Sequence, residues 1–429
     1  MKYALIAPIF CLLLARSPAA PPDYASAQPE GLAAPGPQSA LDEHWSDFQS
    51  ALTDRGFNLG LTYEGEVFGN WGGARQGVIA DGLLGAALDV NLERLTGFWK
   101  DAVFHTNILY IYGPGLSARY VGDFSNTSNL SGYNTFRLQE LWLQQGFWLK
   151  RATLRAGLLA ADTEFFGSQA SSLFINSTFG AFNLVAVNVA NAPIYPVASP
   201  GVRLDVAPTS AFDLKAAFFG MNSNPIQDNK HGAYFDINTG PLFVAEAAYL
   251  VNQSPNDRGL VGSYKLGGFI QQGDYTTWRS QAEHDLDEGP LSKHGSVYAL
   301  YGIADQEIYK QADRKIELFV RGGFAPRRYS FVDGYLDAGV NFTGFVPGRE
   351  SDIAGVGFSR SWVSGDFSAA EQLEGEPAVS SETVIELTYK AQIKPWWNVQ
   401  PDLQFILTPG GAQGARNAAV LGLRTTLAF

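Results

Sequence analysis

Charged, amide and aromatic side chains recur two residues apart along this chain: Glu64 with Glu66, Glu140 with Trp142 and Gln144, Arg203 with Asp205. A carboxylate only accepts hydrogen bonds, a guanidinium only donates, and a glutamine amide does both. Set against one another on a wall, such groups donate to and accept from adjacent hydroxyls. An indole face such as that of Trp142 offers apolar area to the C–H side of a ring. Asp89 and Arg155 stand in runs of the same kind. This is recognition chemistry rather than reaction chemistry. The five histidines (44, 105, 231, 284 and 294) form no H-E-x-x-H pair. PGGAQG at 409–414 lacks the G-K-[ST] of a phosphate loop and reads as a turn, and no G-x-S-x-G is present. EHDLDE at 283–288 reads as a solvated acidic loop before it reads as a cation site. No metal or other cofactor is expected.

A spacing of two is the signature of a β-strand, so strands must position these groups. Leu84, Ala86, Leu88, Val90 and Leu92 alternate with Gly85, Ala87, Asp89, Asn91 and Glu93. At the end of the chain, Ala419, Leu421, Leu423, Thr425, Leu427 and Phe429 alternate with Val420, Gly422, Arg424, Thr426 and Ala428. The runs approach ten residues, the length of a tilted membrane strand, whereas strands of soluble sandwiches average about five or six. Aromatics gather at run ends, at Phe98-Trp99, Phe147-Trp148 and Trp396-Trp397, where a bilayer interface places them. The chain is 46 % hydrophobic and 13 % aromatic but only 17 % charged, against about 25 % charged in soluble proteins. Beyond the N-terminus no apolar run approaches the ~20 residues of a membrane helix. A net charge of −12 argues against nucleic acid or anionic lipid as the partner.

The first residues read as a secretory signal: Met1-Lys2, the apolar YALIAPIFCLLLA, and an A-x-A site at Ala25–Ala27 that starts the mature chain at Gln28. The single cysteine, Cys11, is removed with it, so disulfides and thiolate metal sites drop out. A Pro/Gly/Ala-rich leader precedes one amphipathic helix carrying Leu41, Trp45, Phe48 and Leu52, with Gly56 as its stop. The expected organisation is therefore a signal peptide over 1–27, a leader and periplasmic helix over 28–57, and a β-barrel over 58–429. Long polar connections at 113–135, 271–294 and 363–381 contrast with tight ones at Lys150-Arg151, Asn238-Thr239-Gly240 and Lys394–Trp397. Roughly eighteen strands can be counted, and an even number is needed to bring both ends to one side. Phe429 then ends the strand that closes the ring, its ring at the membrane interface.

Five blocks, in order, resemble the carbohydrate-selective porins of the OprB type: YEGEVFGNWGGARQG from Tyr63, LDVNLERLTGFW from Leu88, FRLQELWLQQGF from Phe136, LRAGLLAADTEFFGSQASSLFINSTFG from Leu154, and the last 36 residues from Lys394. Lys100-Asp101 stands where that family is expected to carry glycines, at a turn. The resemblance implies an antiparallel outer-membrane barrel of about sixteen strands with an N-terminal helix. It further implies passive passage of monosaccharides such as glucose and of related polyols. No reaction is implied; lipid would surround the barrel, with a monomer or homotrimer as the assembly.

A sugar pore needs a narrow wet path whose groups replace water yet release the guest. The candidates are Glu64, Glu66, Asp89, Arg137, Glu140, Trp142, Arg155, Arg203 and Asp205, with Trp142 as a stacking platform. Structural charge pairing along a wet wall is the competing reading for each. Arg75 and Arg137 lie near loops. In FRLQELWLQQGF the phase is double: Leu141 and Leu143 choose one face, Phe136 and Leu138 the other. Taking Leu141 and Leu143 outward puts Glu140, Trp142 and Gln144 inside. A general diffusion porin and an outer-membrane barrel hydrolase are the alternatives. A soluble propeller lectin lacks its repeat of about 40 residues.

Overall fold

A sheet with one apolar face toward lipid has to pair every backbone N–H and C=O, and only a closed ring has no unpaired edge. The computed structural model describes residues 40–429 apart from 255–256, 287–288, 290 and 292–294. Its sheet is one closed antiparallel barrel of sixteen strands in sequence order. They are β1 (Phe57–Gly72), β2 (Gly77–Asn91), β3 (Ala102–Tyr112), β4 (Thr135–Phe147), β5 (Ala152–Leu159), β6 (Ser199–Thr209), β7 (Phe212–Met221) and β8 (Thr239–Val251). The second half holds β9 (Gly262–Tyr275), β10 (Gly295–Gln311), β11 (Arg314–Phe324), β12 (Val332–Thr343), β13 (Ile353–Val363), β14 (Ser381–Lys394), β15 (Trp397–Leu407) and β16 (Ala418–Ala428). The family-derived count holds; the count of eighteen is corrected, because the apolar Phe165, Phe166, Phe174 and Ile175 lie buried in the 160–198 connection rather than in strands. The expected signal peptide and leader, up to residue 39, lie outside the described residues, as does part of the 283–288 acidic stretch.

Alternation is visible in exposure. On β16, Leu421 and Leu423 are each 52 % exposed while Val420, Gly422 and Arg424, beside and between them, are buried. Leu204, Leu266, Leu300, Val320, Val356 and Leu387 repeat the pattern around the ring. So continuous an apolar belt belongs against hydrocarbon rather than water. Exposed aromatics, among them Phe98, Trp99, Phe147 and Trp148, sit at the rim of tight turns. The turns 148–151, 210–211, 312–313 and 395–396 share that rim, and the long connections 113–134, 160–198, 222–238, 276–294 and 364–380 share the other. Asn238-Thr239-Gly240 is not a tight turn, which corrects the reading above: Asn238 closes the 222–238 connection, its Oδ1 accepting from Ser223 N at 2.8 Å, and Thr239 opens β8.

The ring closes where the chain ends. Leu61 N donates to Phe429 O at 3.0 Å and Phe429 N to Leu61 O at 2.9 Å. The Phe429 ring stacks on Trp396 with centroids 5.4 Å apart and meets Trp45 edge-on at 5.9 Å. Trp45 belongs to α1 (Ala40–Asp54), so the terminal aromatic joins the N-terminal helix to the turn rim.

The 160–198 connection folds back into the barrel, and nearly all of it is buried. Phe166 and Phe182 pack on Tyr301 of β10, while Phe174 and Phe179 pack on Phe319 of β11. The wall makes room with glycine. A Cβ on Gly357 would come within 2.8 Å of Phe179 and 2.9 Å of Phe174, closer than real side chains approach. The 113–134 connection also turns inward, burying Ser125–Asn129.

Candidate functional site

Strand register builds a polar rung across the wall of β2–β8. Asp89 lies opposite His105, and His105 opposite Trp142. One rung further, Gln144 faces Arg155, and Arg155 faces Arg203. Asp205 then faces Lys215, and Lys215 faces Glu246. Two arginines directly opposed on neighbouring strands repel each other. The inward segment resolves this with Glu164, whose Oε1 contacts Arg155 Nη1 and accepts from Arg203 Nη2 at 3.0 Å, with Lys215 Nζ 3.9 Å from Oε2. Gln144 Oε1 accepts from both guanidiniums, at 2.9 Å from Arg155 Nη2 and 3.0 Å from Arg203 Nη2. Burial alone raises the Glu164 carboxyl, but Arg155, Arg203 and Lys215 outweigh it and hold it down at about 2.

Beside this junction the wall offers partly exposed donors and acceptors: Asp89 (27 % exposed), Asp205 (25 %), Lys215 (22 %) and Lys265 (22 %). Lys265 Nζ donates to Gly167 O at 2.8 Å, reaching the inward segment as well.

Other wall charges serve as tethers. Glu386 accepts from Ile175 N at 2.5 Å and Asn176 N at 2.9 Å. Glu382 accepts from Phe124 N, Ser125 N and Gly410 N at 3.1, 2.8 and 2.7 Å. Arg321, wholly buried, pairs with Asp337 and donates to Phe166 O, Thr178 O and Gly180 O. Each satisfies main-chain groups that an inward fold removes from water.

The expected site residues divide accordingly. Arg155 and Arg203 meet at the Glu164 junction, with Asp205 beside them (Arg203 Nη1 to Asp205 Oδ2, 3.6 Å). Asp89 sits 2.5 Å from His105 Nδ1. Glu140 accepts from Ala160 N at 3.3 Å, where the inward segment begins. Glu64 lies near Arg424 and Lys390. Glu66 is spent on Arg424, 2.8 Å from its Nη2, which also donates to Ser128 of the 113–134 connection. Trp142 is inside, but the stacking-platform role is corrected: His105 covers one face (centroids 4.5 Å) and the Arg155 guanidinium lies 3.7 Å from the ring centroid. With Trp142 only 6 % exposed, little of the ring is open to a guest. Arg137 is buried apart from the rung, beside Tyr133 at 5.7 Å, and Arg75 donates to Arg119 O on the loop rim at 2.9 Å. Sequence reading missed His105, Glu164 and Lys215. Their signal is a like-charge pair in need of a counter-ion, and it appears only once the register is known.

The double phase of FRLQELWLQQGF has a structural cause. Asn107 pairs with Glu140, but the next residue, Ile108, pairs with Leu138, so Gln139 is an extra residue. This β-bulge turns Gln139 and Glu140 both inward. Phe136 stays outward on one side of it and Leu143 on the other, and both halves of the conflicting pattern are right.

Residues 75–429 match the carbohydrate-selective porin, OprB family. The chain is 24 % identical over 426 residues to Porin B of Pseudomonas aeruginosa, covering 90 % of each. The high-pH structure of Pseudomonas putida OprB superposes with a TM-score of 0.83 at 23 % identity, over 90 % of this chain and 97 % of that one. The outer membrane channel DcaP of Acinetobacter baumannii shares the barrel at a TM-score of 0.54 and 10 % identity, over 87 % of this chain and 97 % of that one. The closed barrel, its inward-folded segment and this match together establish that the chain belongs to the OprB family of carbohydrate-selective porins, a sugar channel of the Gram-negative outer membrane.

Proposed function

We propose that the guests are neutral monosaccharides such as glucose and related polyols, and that they pass beside the Arg155–Glu164–Arg203 junction. The observation that carries this reading is the neighbourhood of that junction. Lys215 and Lys265 donate and Asp89 and Asp205 accept, all partly exposed, from β7, β9, β2 and β6 respectively. Glu64 stands on β1, near Arg424 and Lys390. A hexose presents neighbouring hydroxyls that both donate and accept, so such a mixed surface replaces its water without holding it through a net charge. Arg155 and Arg203 are pinned by Glu164 and Gln144, which fixes the shape of the passage; Glu140 and Trp142 support them from behind. No covalent step is involved, and transport runs down the gradient. The mature protein begins at Gln28, with the helix on the periplasmic rim and lipid around the barrel, as a monomer or homotrimer.

Liposome swelling tests the reading: glucose against a disaccharide and an amino acid, with the native chain and Asp205→Ala. Glucose influx should exceed the others, and the variant should change sugar preference more than salt conductance. Equal influx of all three would make this a general diffusion pore; equal effects of the variant on sugar and salt would remove Asp205 from the path.

A further inference from the structure

β5 is only 8 residues long, and its pairing with β4 stops at Leu141–Leu158. The upper part of β4, from Thr135 to Glu140, therefore has no strand on its β5 side. The 222–238 connection crosses over from β7 and caps this open edge. Leu138 N donates to His231 O at 3.0 Å, His231 Nδ1 donates to Phe136 O at 2.7 Å, and Thr135 Oγ1 donates to Lys230 O at 2.6 Å. The end of the inward segment is tied to the same strap, since Asn191 Nδ2 donates to Asn222 O at 2.8 Å and Asn224 O at 2.7 Å.

Between strap, inward segment and β6 lies a cavity of about 240 Å3, with Arg137 in its wall. Arg137 is 2 % exposed, and its Nε and Nη1 have no hydrogen-bond partner. No carboxylate pairs with it among the described residues; its neighbour is the Tyr133 ring. A buried guanidinium left without an anion is a costly arrangement that pairing relieves. The rest of the lining is mixed. Asn191, Ser199, Asn222, Asn224 and, at the exposed rim, Asp228 and Asp236 can meet hydroxyl groups. Val197, Ile226 and Tyr234 can meet the C–H face of a sugar chain or ring. The volume is below the ~300–1,000 Å3 of drug-sized pockets, as suits a guest of monosaccharide size.

We propose that this cavity binds a polyhydroxylated carboxylic acid, a sugar acid, with its carboxylate on Arg137 and its hydroxyls against the asparagines and rim acids. The site stands at the long-loop mouth, apart from the Arg155–Glu164–Arg203 junction. It extends the proposed substrate class from neutral sugars to their acids. It rests on the chain being a sugar porin, but reads out separately from permeation.

The test is binding of D-gluconate to the purified, refolded full chain in detergent, by calorimetry, with glucose and sodium formate as comparison ligands. Gluconate should bind more tightly than either. Arg137→Gln should weaken it by roughly 10- to 100-fold, the worth of a charge-assisted hydrogen bond. Arg137→Lys keeps the charge but loses the two-pronged geometry, and should weaken it less. It also serves if Arg137→Gln fails to fold, which heat-modifiable gel mobility reports. Unchanged gluconate affinity in the folded Gln variant, or in the Lys variant where only that folds, would overturn the proposal. So would formate binding as tightly as gluconate, a plain anion site, or glucose binding equally well, a site indifferent to charge. Glucose swelling reads the neutral path, so loss of swelling with gluconate binding intact refutes the permeation reading alone.

Discussion

Arg321 holds the inward segment at its middle, and its removal should separate barrel stability from pore shape. In the native chain it donates to Asp337, with both residues fully buried, and to three carbonyls of the segment: Phe166 at 3.1 Å, Thr178 at 3.0 Å and Gly180 at 2.5 Å. Arg321→Met leaves the buried Asp337 without its cation, though the Tyr335 hydroxyl still donates to it at 2.7 Å, a loss of about 3–5 kcal/mol. The segment separately loses three bonds to a charged donor, each worth about 1.5–3 kcal/mol where it is made. Glu386 still holds Ile175 and Asn176, and Glu246 still accepts from Phe166 N at 3.3 Å. The expected result is a loosened 166–180 stretch rather than an evicted one. Even one such bond lost in full, about 3 kcal/mol, raises the displaced population about a hundredfold. Single-channel recordings should show larger, noisier conductance, and swelling should show a disaccharide gaining on glucose. In Arg321→Met/Asp337→Leu the orphaned charge is gone, so the unfolding midpoint should recover while the altered conductance persists. If the double variant restores conductance and sugar discrimination along with stability, the segment does not depend on Arg321 and the tether argument is wrong.

Glu164→Gln should leave Arg155 and Arg203 facing each other with no carboxylate between them, shifting the reversal potential in a salt gradient toward anions; an unchanged potential would mean that the junction does not face the ion path. The pH dependence has a definite sign. The Glu164 carboxyl, normally near 4.5, is held at about 2, so its contribution is complete above the ordinary value and is lost as pH falls through about 2. Conductance measured from neutral pH down to the ordinary carboxylate range should therefore show no step from this group, although Asp205, Asp213 and Glu140 stand near the same cations. A step in that range that vanishes in Glu164→Gln would contradict the pairing. Phe429→Ala keeps the main-chain bonds to Leu61 but loses the rings of Trp396 and Trp45, at about 0.5–1.5 kcal/mol per aromatic pair. Refolding yield into detergent should fall, and a native yield would show that the terminal aromatic is idle.

The wall of this channel was legible because a barrel strand repeats its solvent every second residue. Leu421 and Leu423 against Arg424, or Leu84 against Asp89, declare both faces without reference to any other strand. The strand count was less so. A segment such as FFGSQASSLFINSTFG carries the apolar content of a strand, yet its phenylalanines are buried by turning into the lumen. Composition alone does not distinguish lipid from a protein interior. The one local conflict in the pattern, around Gln139, marked a real irregularity. A bulge adds one residue, and a period of two converts that into reversed facing.

The candidate site was legible as an inventory and not as an arrangement. Arg155 and Arg203 were identifiable as inward residues, but what they do depends on being opposite each other, which strand register decides and single-strand patterning does not contain. Once they are opposed, like-charge repulsion calls for an anion between them; on the wall, Asp205 pairs with Arg203 at 3.6 Å, Glu246 is held by Tyr301 and the main chain of Phe166, and Glu140 by Ala160. The inward segment supplies Glu164, and the charge pattern of the wall thereby specifies where that segment must dock. Trp142 shows the converse. As a free indole it would be a platform, yet it is buried against His105 and the Arg155 guanidinium, and its ring packs the wall instead. On the path proposed above, selectivity is a property of contacts between wall and segment, and substitutions that move the segment should alter it as surely as those that remove a charge from the path.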